Sequence, residues 1–177
     1  GIIQHYTYLA SCTNLPIILY NVPGRTGSNV TAETTLELAK IDNIVAMKEA
    51  SGNFEQVMEI VMKKPEGFGV LSGDDAITMP LISTGVEGVI SVVANAFPKK
   101  FSSMVHDSIK GDFEAARINH FELLEVTKML FEEGNPGGVK VALAQQGIMK
   151  PFMRLPLYPV SENLQARIER ETERILA

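Results

Sequence analysis

The 177-residue sequence has a single cysteine, Cys12, no cluster of lysine and arginine, and no apolar run of bilayer length. One thiol cannot form an internal disulfide and cannot by itself make a zinc site. A chain without disulfides fits a reducing compartment, the cytoplasm. Crossing a bilayer takes about 18 or more consecutive apolar residues, so no membrane partner is expected. A formal net charge of −5 with no basic stripe argues against a nucleic-acid surface. His5, His106 and His120 fall in helical patterns away from the strand ends, where they read as surface or packing residues, so no metal centre is expected. There is also no initiator methionine and no signal-peptide pattern. Ile2, Ile3, Tyr6, Leu9 and Ala10 recur at helical spacing from the first residues onward, which reads as a chain cut from something longer.

What is present is a repeating unit. From Leu15 onward, short apolar runs rich in β-branched residues alternate with polar, glycine-containing loops and then with helical patterns. The runs are Ile17–Val22, Ile44–Ala50, Gly67–Leu71 and Gly88–Ala94. Helices are expected near Ala32–Lys40 with Thr31 as N-cap, near Phe54–Lys63, near Ala76–Thr84 and near Lys99–Lys110. Such alternation is the pattern of right-handed βαβ crossovers and a parallel sheet. The strands read as nearly continuous apolar runs, as expected of a sheet buried on both faces. After Gly111 the pattern becomes helical throughout: Asp112–Glu133, then Val139–Ile148 with Asn135 as N-cap, and Ser161–Leu176. The domains expected are therefore residues 1–111, α/β, and residues 112–177, a helical domain. Four strands are half of what a (β/α)₈ barrel uses. They are either the second half of such a barrel or, in a complete chain, a small open sheet. Two copies could also close an eight-stranded barrel by self-assembly.

The polar chemistry sits at the C-terminal ends of the strands, where α/β folds place their sites. Lys48 lies inside "VAMKEA". A lysine at a strand end commonly snorkels to water. Here its same-face neighbours, Ala46 and Ala50, are small and leave room for a ligand, and a desolvated amine can attack a ketone to form a Schiff base. Glu49 points to the opposite face and reads as structural. Tyr20 stands at the equivalent level one unit earlier, about 4.8 Å away if the strands are neighbours, and suits a proton relay. Arg25, between Gly24 and Gly27 in the following loop, suits a bidentate carboxylate clamp. Amine, phenol and guanidinium at one rim describe a site for a keto acid.

The motifs "YNVPGRTG", "KEASGN", "SGDD" and "GVISVVAN", in this order and spacing, together with "NPGGVK" and "RLPLYPV", resemble the dihydrodipicolinate synthase family of pyruvate-dependent Schiff-base lyases. The resemblance covers essentially the whole chain and corresponds to the C-terminal portion of that family. It implies an α/β fold, the second half of a (β/α)₈ TIM barrel followed by a C-terminal helical domain. It implies a lyase of lysine (diaminopimelate) biosynthesis that condenses pyruvate with L-aspartate 4-semialdehyde. No separate cofactor is implied, only a covalent pyruvate imine on Lys48. Tyr20 would shuttle protons, Arg25 would bind a substrate carboxylate, and the Ile90 carbonyl and the region of Gly73 would line the pyruvate pocket. Asp74 and Asp75 read as helix N-terminal carboxylates rather than catalytic acids. The resemblance also implies a homo-oligomer, a homotetramer in the full-length family. N-acetylneuraminate lyase and related keto-sugar-acid aldolases are the sister alternative, and Arg25 favours the synthase. The family's front half, with its pyruvate-carboxylate loop and further proton-relay residues, has no counterpart here, so this chain alone is expected to lack full activity.

Overall fold

The computed structural model describes residues 1–177, and the chain divides into two compact units, Gly1–Ile90 and Ser91–Ala177. The first unit is α/β. Its elements are α1 (Ile2–Ser11), β1 (Ile17–Asn21), the one-turn α2 (Pro23–Thr26), α3 (Ala32–Leu38), β2 (Ile44–Glu49), α4 (Phe54–Lys63) and β3 (Gly69–Ser72). A 3₁₀ turn at Asp75–Ile77 then runs into α5 (Thr78–Ile82), and β4 (Gly88–Val89) closes the unit. The strands form one parallel sheet in the order β1-β2-β3-β4. Parallel neighbours that follow one another in sequence require crossovers, and the intervening helices provide them. Two of these helices begin at side-chain caps. Thr31 accepts from the Thr34 N–H, as its position before Ala32 predicts, and Asn53 accepts from the Gln56 N–H.

Strand alternation sends Leu19, Met47 and Val70 to one face, where each is at most 2% exposed and packs with Leu38, Val57, Ile60 and Leu81. The other face is open: Ile18, Tyr20 and Ile90 are each more than 40% exposed. The expectation of a sheet buried on both faces is thereby corrected. The apolar runs carry residues for two covered faces, but the helices of this unit lie on only one of them. The last strand is also shorter than the run Gly88–Ala94. Ser91 Oγ accepts from the Ala94 N–H at 2.8 Å, and the chain turns into a helix.

The second unit is helical: α6 (Val93–Ala96), α7 (Pro98–Ile109), α8 (Phe113–Glu132), α9 (Gly137–Gln145) and α10 (Glu162–Leu176). Helix α7 packs most extensively on α8, and α10 packs on α8 and α9. The contacts therefore divide the chain after Ile90, not at Gly111, where the sequence pattern changes. Gly111, at φ 82°, makes the turn between α7 and α8. Asn135 does not cap α9, whose N-cap position is Pro136. No helix is long and apolar enough to cross a membrane.

Helix α10 begins at a shared cap. Ser161 Oγ accepts from the Leu164 N–H, while Ser161 Oγ and N donate to the two oxygens of Glu133 at 2.6 and 2.7 Å. The Ser161 hydroxyl, then the Ser161 amide and the Arg167 guanidinium, hold the Glu133 carboxyl below its ordinary range. A lowered folded-state value means that the unfolded chain binds more protons in the window between the two values. The stabilisation is therefore complete above the ordinary carboxylate value and is lost as pH falls through the lowered one. Glu133→Gln should melt below the unsubstituted chain near neutral pH, and the gap should close on acidification. Thermal melts across that range check this, and a gap that widens in acid would contradict it.

Candidate active site on the open face of the sheet

The parallel register places Tyr20 beside Lys48 and Lys48 beside Leu71. Both polar side chains stand on the open face. The Lys48 ammonium lies 4.0 Å from the centroid of the Tyr20 ring, well within cation–π range, and makes no hydrogen bond or ion pair. Lys48 is half-buried rather than desolvated, because nothing covers this face of the sheet. The ladder continues past the strand ends. The Ala50 amide donates to Asn21, the Gly73 amide to Glu49, and the Ile90 amide to Ser72 at 2.9, 2.7 and 2.9 Å. Gly73 and Ile90 thus stand side by side one step beyond the lysine.

Gly73 is the tight point. A Cβ there would lie 2.8 Å from the Ala50 Cβ, 2.9 Å from Lys48 Cε and 3.2 Å from Lys48 Cγ. The lysine stem fills the volume that any side chain at position 73 would take. The small neighbours expected around Lys48 are present, since Ala46 pairs with Gly69 and Ala50 abuts Gly73.

Arg25 is exposed and lies on α2, not in a loop. Pro23 opens this single turn and Gly27, at φ 67°, ends it. The Arg25 guanidinium is unpaired, and it makes no bond to Tyr20 or Lys48. A cleft of about 320 Å³ opens beside Tyr20, lined by Tyr6, Thr26, Ser28 and Val30 among others. Asp74 caps the 3₁₀ turn by accepting from the Ala76 N–H, as read from the sequence. No group of three or more His, Cys, Asp and Glu side chains is placed to hold a metal ion.

Glu49 lies on the opposite face, as expected, but the partners that hold it, Asn21 and Gln56, were not read from the sequence. Asn21 and Glu49 follow Tyr20 and Lys48 in their strands, face each other in register, and are 1% and 2% exposed. Asn21 Nδ2 donates to Glu49 Oε1 and Oε2 at 3.2 and 3.0 Å. The Ser51 N–H donates to Oε1 at 2.6 Å and Gln56 Nε2 to Oε2 at 3.0 Å. Asn21 Oδ1 accepts from the Val30 N–H, and Gln56 Nε2 also donates to the Val30 carbonyl. One signal was available. Asn53-x-x-Gln56 has the form of a capping box, in which the Gln would turn back to the cap. Here Gln56 reaches across to the buried carboxylate instead.

The dihydrodipicolinate synthetase family model matches residues 1–175. The 4-hydroxy-tetrahydrodipicolinate synthase of Parabacteroides distasonis is 52% identical over 160 residues, which are 90% of this chain and 54% of that protein. The crystal structure of dihydrodipicolinate synthase from Aquifex aeolicus superposes with a TM-score of 0.95 at 36% identity, over 98% of this chain and 60% of that one. The chloride-inhibited dihydrodipicolinate synthase of Acinetobacter baumannii, crystallised with pyruvate, gives a TM-score of 0.95 at 35% identity, over 99% and 60%. The chain thus spans little more than half the length of the relatives it matches. Across that span the fold is shared with the solved structures, about half of the residues with the Parabacteroides relative and about a third with the solved structures, and the chain belongs to the dihydrodipicolinate synthetase family.

Proposed function

We propose that this chain carries the covalent half of a Schiff-base lyase that condenses pyruvate with L-aspartate 4-semialdehyde to 4-hydroxy-tetrahydrodipicolinate, a step of lysine biosynthesis by the diaminopimelate route. One observation carries the reading. The Lys48 ammonium stands unbonded over the Tyr20 ring on the open sheet face. In this reading the four strands are half of a (β/α)₈ barrel, the open face is its interior, and the last helices form the C-terminal domain. The exposed Ile18 and Ile90 on that face support it, because large apolar side chains there would be covered on closure.

The chemistry follows from the groups present. Lys48, as the free amine, adds to the ketone carbon of pyruvate. Loss of the carbonyl oxygen as water gives an imine in which the nitrogen draws electrons from the adjacent methyl group. Removal of a methyl proton yields an enamine, its carbon attacks the aldehyde to leave a hydroxyl, and the semialdehyde's own amino group then adds to the imine carbon, closing the ring and expelling Lys48 as the free amine. Each step moves a proton, and Tyr20, whose ring lies beside the amine, brings the hydroxyl that would carry it. Gly73 and the Ile90 backbone line the space beyond the lysine. Arg25, exposed and unpaired, offers its two parallel donors to a substrate carboxylate. That arginine favours the synthase over a sugar-acid aldolase of the same superfamily. No cofactor beyond the lysine is required, the enzyme would work in the cytoplasm, and closure of the barrel would bring it into a homo-oligomer.

Incubation with pyruvate and borohydride, followed by peptide mapping in a mass spectrometer, tests the reading. Reduction should leave the pyruvate adduct on the peptide that holds Lys48. Labelling spread over exposed lysines such as Lys40 and Lys63 would overturn it.

A further inference from the structure

We infer that Glu49 is a positioning residue, which holds Tyr20 against Lys48 from the opposite face of the sheet. The inference rests on the Schiff-base reading for its function, but its geometry stands without it. Tyr20 and Asn21 are consecutive in β1, as are Lys48 and Glu49 in β2, and the two pairs are matched in register. Whatever fixes Asn21 against Glu49 therefore fixes the backbone on which Tyr20 and Lys48 stand.

The carboxylate is built for that task. It is 2% exposed, has no cationic partner among the ion pairs, and receives donors from three places: β1 through Asn21, the loop after β2 through the Ser51 amide, and α4 through Gln56. Leaving such a group in a protein interior is costly unless its lone pairs are filled, and here both oxygens are filled. The same network reaches further. Asn21 Oδ1 and Gln56 Nε2 hold the Val30 amide and carbonyl, and Asn21 Nδ2 and Gln56 hold the Asn29 side chain. Val30 ends the segment that begins at Val22 and contains Arg25. Glu49 therefore governs the spacing of the Tyr20–Lys48 pair and anchors the base of the arginine's segment.

The carboxylate accepts at both oxygens, so an amide of the same shape does not fit. In Glu49→Gln, one rotamer turns the new NH₂ group toward Asn21 and the Ser51 amide, and the other turns it toward Asn21 and Gln56. Donor meets donor either way. Asn21→Asp combined with Glu49→Gln reverses donor and acceptor across the strand pair and keeps an acceptor for the Val30 amide, but it leaves the new NH₂ group against the donor of Ser51 or Gln56.

The test uses the 177-residue chain with two readouts. Nuclear Overhauser contacts between the Lys48 ε-methylene and the Tyr20 ring report position. The rate of borohydride trapping with pyruvate, measured across pH, reports function. Glu49→Gln should weaken the ring contacts and lower the trapping plateau about tenfold at every pH, with an unmoved pH midpoint. The double variant should restore part of both, since it repairs the contact across the strand pair and not the one to Ser51 or Gln56. Unchanged contacts and an unchanged plateau in Glu49→Gln would overturn the inference. So would a moved midpoint with intact contacts, because the carboxylate would then act through its charge. If Glu49→Gln does not fold, Gln56→Leu removes one donor and leaves the charge, and unchanged contacts and rate in that variant would overturn the inference equally. If the unsubstituted chain traps no pyruvate, the Schiff-base reading fails, while the ring contacts still decide whether Glu49 sets the spacing.

Discussion

Gly73→Ala should cost about a hundredfold in the rate at which Lys48 is trapped by pyruvate and borohydride, while the sheet remains folded. The backbone at Gly73 has no positive φ, so alanine brings no conformational strain there. The conflict is steric. The new Cβ would stand 2.8 Å from the Ala50 Cβ and 2.9 Å from Lys48 Cε, where carbon atoms prefer about 3.5–4.0 Å. The Ala50 Cβ is fixed to the backbone just past β2 and cannot yield alone. The lysine stem can, because its methylenes rotate. The amine therefore leaves its place over Tyr20, and a displacement on the order of 1 Å is enough to cost about two orders of magnitude in a positioned reaction. Trapping kinetics measured beside thermal melts separate loss of position from loss of fold. A Gly73→Ala chain that traps pyruvate at the original rate would refute the account.

The second large effect is on stability and lies in the helical unit. Gly138 stands at the start of α9, where that helix meets α8, and its Cβ would fall 2.7 Å from Leu130 Cα and 2.8 Å from the Leu130 carbonyl oxygen. Those atoms are backbone in the last turn of α8, so no rotamer relieves the contact and the two helices must separate. Overpacking of this kind costs about 1–3 kcal/mol, and the rigid neighbour puts Gly138→Ala at the upper end. The gain of about 1 kcal/mol in helix propensity from replacing glycine offsets only part of it. A fall of roughly 4–8 °C in melting temperature is expected. Gly137 provides the internal comparison. A Cβ there would meet Val160 Cγ1 at 2.8 Å and the end of Met153, side chains that can turn aside. Gly137→Ala should therefore cost less than Gly138→Ala, and the reverse order would show that the close approach of the helices is not what the glycine serves.

The lysine, the tyrosine and their shared level were legible before any coordinates, because the period of two along a strand and the ordered strand neighbours of a βαβ chain leave few alternatives. Thr31, Asp74 and the ends of α4 and α10 were legible for a similar reason, since caps and stop signals act within a few residues. Two boundaries differ from the sequence pattern, one through a local turn and one through a partner distant in the chain. The apolar run after Gly88 was cut short by the Ser91 turn, and the division of the chain fell at Ile90 because α7 found its partner in α8.

By itself, then, the sequence determined the order of the elements, the family they belong to, and which residues could do chemistry at the strand ends. Periodicity, turn residues and short motifs are local quantities that any stretch of chain carries with it. Only the tertiary structure decided which face of the sheet is covered, that Lys48 rests on Tyr20, that Gly73 and Gly138 are glycines for want of space, and that Asn21, Glu49 and Gln56 meet beneath the site. Each of these depends on pairings between residues far apart in the chain. Such pairings follow from how the whole chain buries its apolar surface and fills its buried hydrogen bonds, and no window of neighbouring residues contains them.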